Sequence, residues 1–85
     1  MTQPKRKVDA MQRFRYQIIE RIAVLGQSGD TTKELNLISF NGFPAKYDLR
    51  SWQRADGAET MLKGVTLTAE EAARLRDVLI ARDDL

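Results

Sequence analysis

The sequence predicts an α+β fold in which four antiparallel strands precede one C-terminal helix. Three observations carry that expectation. Apolar and polar residues alternate through much of residues 14–67, the period of a half-buried strand. Two turn dipeptides, Asn41-Gly42 and Asp56-Gly57, punctuate the alternating runs. After Thr68 the apolar spacing changes to that of a helix.

Residues 1–12 are polar, contain Pro4 and show no periodicity, so a flexible basic arm is expected ahead of a domain spanning 13–85. The first strand runs from Phe14 to Leu25. Phe14, Tyr16, Ile18, Ile22 and Val24 are expected on one face, interrupted only by Glu20. Residues 26–32 have loop composition. The second strand runs from Lys33 to Phe40, with Leu35 and Leu37 opposite Asn36, Ile38 and Phe40. Pro44 lacks the N–H a ladder needs, so the third strand begins near Ala45 and ends near Gln53.

The fourth strand, Thr60 to Leu67, contains Gly64, which marks a bulge or a close backbone approach. Thr68 and Glu71 form a capping box for a helix from Ala69 to Arg82. Leu75, Val78 and Leu79 are expected to be buried against the sheet and a partner helix. Asp83 and Asp84 oppose the dipole at its end, where fraying is expected.

With 85 residues, no cysteine and no histidine, the chain has neither disulfides nor the usual zinc ligands. A domain of this size buries only about 60% of its unfolded surface, so a homodimer is expected. No apolar run approaches the ~20 residues of a membrane span, and the expected location is cytoplasmic and nucleoid-associated. The net charge of +2 is unevenly spread. Lys5, Arg6, Lys7 and Arg13 make the front basic, whereas carboxylates outnumber arginines after Leu67.

Catalysis has little to work with. The commonest general base and nucleophile are missing, no phosphate-binding glycine pattern is present, and Glu70 and Glu71 suit a helix first turn. No enzyme activity and no cofactor or metal are expected. A binding surface is better supported. Alternation places Lys46, Asp48, Arg50 and Trp52 on one face, with Asp48 as a charge partner. Flat rings and fixed cations together make a platform for single-stranded nucleic acid. Asn36, Phe40 and Lys63 are expected to join it. Competing structural readings are Trp52 packed at a sheet edge, Phe40 in the core and Lys63 simply solvated. Phe43, beside Pro44, is either a stacking ring or a dimer contact.

The segments KELNLISFNG, AKYDLRSW and KGVTLTAEE resemble the transcriptional positive cofactor four family of single-stranded DNA-binding proteins, and within it the bacterial YdbC-like branch. The resemblance spans roughly residues 14–82. It implies a curved four-stranded antiparallel sheet with a C-terminal helix, a homodimer, and ribbon grooves that hold unpaired strands. By position it implies Phe40 and Trp52 as stacking aromatics, Arg50 and Lys63 as backbone-contacting cations, and Lys33, Lys46 and Arg54 as further basic contacts. Phe43-Pro44 departs from the basic residues of eukaryotic members. The expected function is non-catalytic single-stranded DNA binding with little sequence preference, serving transcription, replication or repair machinery. Single-stranded RNA binding and a peptide-receiving sheet are the alternatives.

Overall fold

The computed structural model describes residues 14–85, so the expected basic arm at 1–12 lies outside the described residues. It contains β1 (Tyr16–Ser28), β2 (Thr31–Phe40), β3 (Lys46–Ala55), β4 (Ala58–Leu67) and α1 (Ala69–Ile80). The strands form one antiparallel sheet in the order β1-β2-β3-β4. The α+β expectation therefore holds, strand by strand.

Each hairpin follows from its turn residues. Asn41 and Gly42 have φ of 52° and 78°, and Asp56 and Gly57 have φ of 53° and 76°, the left-handed pair that a tight turn requires. The Asn41 side chain also accepts from the Arg15 N–H at 2.8 Å, which ties this turn to the start of β1. The expected loop at 26–32 is instead strand on both sides of a two-residue turn, with Ser28 paired to Thr31. Gly29, at φ 60°, supplies the backbone freedom, and ladder pairing overrides the loop-like composition around it.

The single apolar face expected for β1 is broken. Register shifts fall at Ile18/Glu20, Arg21/Ala23 and Val24/Gly26, leaving Ile19, Ile22 and Leu25 without partners in the ladder. Each bulge flips the alternation, so Tyr16, Ile18, Arg21 and Val24 share the side of β2 that carries Asn36 and Ile38. A further shift lies between Arg50 and Trp52, where β3 meets Gly64 of β4.

These irregularities curl the sheet. In a flat sheet β1 and β4 would lie about 14 Å apart, three strand spacings. Yet the Tyr16 hydroxyl donates to Glu59 of β4 at 2.8 Å, and Arg21 lies 3.5 Å from the same carboxylate. The core occupies the concave side: Ile38 and Trp52 are fully buried, together with Glu34, Asn36 and Asp48.

On the convex side α1 lies beside Leu35, Tyr47 and Leu67, with Ala69, Ala72 and Ala73 lining the junction. Its capping box is formed: the Thr68 hydroxyl accepts from the Glu71 N–H at 3.0 Å, and the Glu71 carboxylate accepts from the Thr68 N–H at 2.9 Å. The helix ends at Ile80, two residues before the expected Arg82. Contrary to expectation, Leu75, Val78 and Leu79 are not buried in the protomer and stay 38%, 46% and 46% exposed. Short alanines seat the helix, Leu75 and Leu79 reach the rim of the same junction, and the outer part of each larger apolar side chain stays uncovered among the described residues.

Gly64 illustrates the precision of the curl. A Cβ there would lie 1.9 Å from the Arg50 Cβ and 2.5 Å from the Leu49 carbonyl oxygen, so backbone would have to move. Gly64→Ala is expected to destabilise the fold by about 2 kcal/mol or more, read as a lower urea midpoint.

Candidate nucleic-acid interface

The concave face carries alternating acids and bases because its strands pair in matching register. Glu34 faces Arg50 and Asn36 faces Asp48 across β2 and β3. Arg50 forms a two-pronged pair with Asp48, Nε to Oδ1 and Nη2 to Oδ2, both at 2.7 Å. Its remaining Nη1 donates at 3.0 Å to the Leu62 carbonyl beside the β4 bulge. Arg54 donates to Glu34 at 2.5 Å and 3.3 Å, and through Nε to Glu59 at 2.9 Å. Glu34 also accepts from Thr32 at 2.5 Å and from Asn36 at 3.0 Å. Arg21 lies 3.7 Å from Glu34.

These contacts control the charges. Arg54 above all, with Thr32 and Asn36 assisting, outweighs burial and holds the Glu34 carboxyl at about 2 against its usual 4.5. Burial pushes Glu59 upward, but hydrogen bonds from Arg54 and Tyr16 outweigh it and leave its pKa lowered. Arg54 is raised by its bond to Glu34.

Aromatic rings cover the same face. The Tyr16 ring lies 5.4 Å from that of Trp52, tilted by 56°, and the Arg54 guanidinium sits 5.4 Å from the indole centroid. Phe40 lies 6.1 Å from Phe14, with the Arg50 guanidinium 5.9 Å from its centroid.

The eight residues expected at the interface therefore separate into three settings. Against the expectation of a surface position, the Trp52 indole is wholly buried, closed off by Tyr16 and Arg54. Its Nε1 and the Oδ1 of Asn36, itself only 1% exposed, have no partner among the described residues. Neither side chain is open to a nucleotide in this arrangement. The correction has a physical cause: alternation gave the right face, but the curl makes that face the interior.

Arg50 and Arg54 occupy the expected face, committed to carboxylates. Phe40 is half-buried beside exposed Phe14, and Lys46 is exposed on the concave side opposite Ile38. Lys33 and Lys63 are exposed on the convex side, where they line a shallow groove with Leu49, Ser51 and Val65. Lys63 does not join Arg50 and Trp52 as expected, because the β4 bulge sends it to the other face.

Sequence reasoning missed Tyr16, Arg21, Glu34 and Glu59. Alternation through Thr32, Glu34 and Asn36 marks Glu34 as sharing the Asn36 face. For Arg21 no such signal exists, because the bulges reset its face.

A curled four-stranded sheet with a capped terminal helix, polar inside and lysine-bearing outside, defines a small α+β protein that presents a charged sheet surface. Among the described residues, no cluster of three or more potential ligands is placed to hold a metal, and no helix is long and apolar enough to cross a membrane. The chain belongs to the family described as Transcriptional Coactivator p15 (PC4), which matches residues 28–78 and so takes in all eight expected site positions. That is a nucleic-acid-binding, coactivator-like and non-enzymatic family. The chain is also similar to an uncharacterized protein of Treponema pallidum (strain Nichols), at 43% identity over 67 residues, covering 78% of this chain and 76% of the relative.

Glu34 sets an acid limit on the fold. Its folded pKa is depressed, so the stability it contributes is present above about 4.5 and is lost as pH falls toward about 2. The whole effect is about 3 kcal/mol. Urea midpoints measured across that window are expected to fall steeply for the native chain. Glu34→Gln should be less stable at neutral pH and should show a flatter acid limb.

Proposed function

We propose that this protein binds single-stranded DNA with little sequence preference, performs no chemistry, and serves transcription, replication or repair as a homodimer. The observation that carries the reading is the division of cations. Arginines of the concave face are engaged by carboxylates, whereas Lys33, Lys46 and Lys63, one on each of β2, β3 and β4, are exposed with no acidic partner among the described residues. Lysine is a mobile point charge that follows phosphates without fixing a base. Phe40 and Phe43, the latter 68% exposed, supply rings for sequence-tolerant stacking near Lys46. Family membership supports the same reading.

Fluorescence anisotropy with a dT oligomer at several salt concentrations tests it. Lys63→Ala and Lys33→Ala are expected to weaken binding and to flatten the salt slope by about 0.7 for each phosphate left without its lysine. Phe40→Ala should weaken binding by about 1–3 kcal/mol while leaving that slope nearly unchanged. Competition with a matched ribo-oligomer separates DNA from RNA preference. Indifference of binding to all three substitutions would place the ligand elsewhere on the protein.

The dimer rests on Leu75, Val78, Leu79 and Ile80, a helix surface too apolar to leave in water. Sedimentation equilibrium is expected to show a dimer for the native chain and a monomer for Leu79→Glu. A native chain that stays monomeric at all accessible concentrations would sink the dimer.

A further inference from the structure

We infer that Arg21, Arg54 and the Tyr16 hydroxyl form a phosphodiester subsite that the chain fills with its own Glu59, which a bound nucleic-acid strand displaces. The inference rests on the nucleic-acid reading above and deepens it by adding a contact and its regulation. Three donors from three strand positions converge on one carboxylate: Tyr16 Oη at 2.8 Å, Arg54 Nε at 2.9 Å and Arg21 Nη2 at 3.5 Å. One anionic group bearing two acceptor oxygens is also what a phosphodiester presents, and guanidinium groups match both.

Exposure shows which of the two carboxylates here can be displaced. The Glu34 side chain is 4% exposed, with Arg54 and Asn36 bonded to it, and it forms the floor of the site. The Glu59 side chain is 31% exposed and sits on edge strand β4, one residue into the strand after the Asp56-Gly57 turn. Arg21, at 57%, forms the outer wall. Exchanging the Glu59 carboxylate for a phosphate leaves the charge balance of the site intact, so Arg54 and Arg21 are never left unpaired. Emptying the site without a replacement would leave the two guanidinium groups sharing Glu34 alone. Glu59 thus acts as an internal competitor, which weakens binding of short or sparse polyanions more than of a continuous strand that brings many phosphates at once.

The test compares dT-oligomer binding by the native chain, Glu59→Gln, Arg21→Ala and Asp56→Asn. The last makes the same change in net charge on the same hairpin, outside the site. Glu59→Gln is expected to bind about three- to tenfold tighter than Asp56→Asn, with a salt slope steeper by about 0.7. Arg21→Ala, a change at an exposed side chain, is expected to bind more weakly than the native chain with a flatter slope. A purely structural ion pair leaves Glu59→Gln no tighter than the charge-matched Asp56→Asn, so the gain over that control is the signature.

If the native chain binds and Glu59→Gln is no tighter than Asp56→Asn, the inference is wrong. Should Glu59→Gln not fold, unchanged binding by Arg21→Ala overturns it alone. Failure of all four proteins to bind at low salt would instead overturn the nucleic-acid reading itself.

Discussion

Charge burial beneath the curled sheet is the constraint on which the rest depends. Glu34 and Asp48 are almost without contact to water, and a carboxylate in that position costs several kcal/mol unless a cation and hydrogen bonds accompany it. Arg54 and Arg50 meet that need with two-pronged contacts, and in doing so Arg50 gives up most of its reach into solvent. Trp52 is closed in by the same arrangement, with Arg54 over its ring and Tyr16 brought across from β1. Curl, ion pairs and buried indole are therefore one structural unit. Flattening the sheet would separate Tyr16 from Glu59 and wet the paired charges.

The opposite consequence appears on the outside. A short chain that spends its interior on polar pairs has few positions left for apolar side chains, and Ile38 and Trp52 are the hydrophobic side chains fully buried among the described residues. Leucine, isoleucine and valine accumulate on α1, at the bulges of β1 and along β4. Scattered exposed apolar residues are ordinary, but four large apolar side chains partly exposed on one short helix are not. The proposed homodimer gives that surface something to pack against, and it leaves the lysines of β2 and β4 on a separate part of the convex side.

Much of this fold was legible in the sequence. Asn41-Gly42, Asp56-Gly57 and the Thr68/Glu71 box each act through backbone geometry local to a few residues, and each holds in the structure. Gly64 was readable as a bulge or a close approach, and both are present. The failures are all non-local. Residues 26–28 and 31–32 pair as strand because their partners in the ladder hold them there. Leu75, Val78 and Leu79 are only partly covered by the sheet of their own protomer, and the rest of their expected burial depends on a partner helix. In the candidate site, alternation correctly grouped Lys46, Asp48, Arg50 and Trp52, yet it carries no information on whether that face looks outward or inward.

The direction of that face is decided by β1, and its sequence shows how. Ladder bulges at every third residue put Tyr16, Ile18, Arg21 and Val24 on the concave side at spacings of two, three and three, while Ile19, Ile22 and Leu25 fall at the bulges without ladder partners. A period-two reading cannot describe such a strand, and a period-three apolar series in a β-branched run imitates a helix. Once β1 bends across the sheet, arginine and lysine part company for a physical reason. The planar guanidinium fork fits a buried carboxylate and is less costly to desolvate, so Arg50 and Arg54 pair with carboxylates beneath the curl; the strongly hydrated ammonium stays in water. The sheet cations left without a carboxylate partner among the described residues are thus the flexible, non-directional lysines. Unpaired lysines and exposed phenyl rings support the proposed hold on phosphates with sequence-tolerant stacking, because the guanidinium forks of the sheet are already occupied by carboxylates.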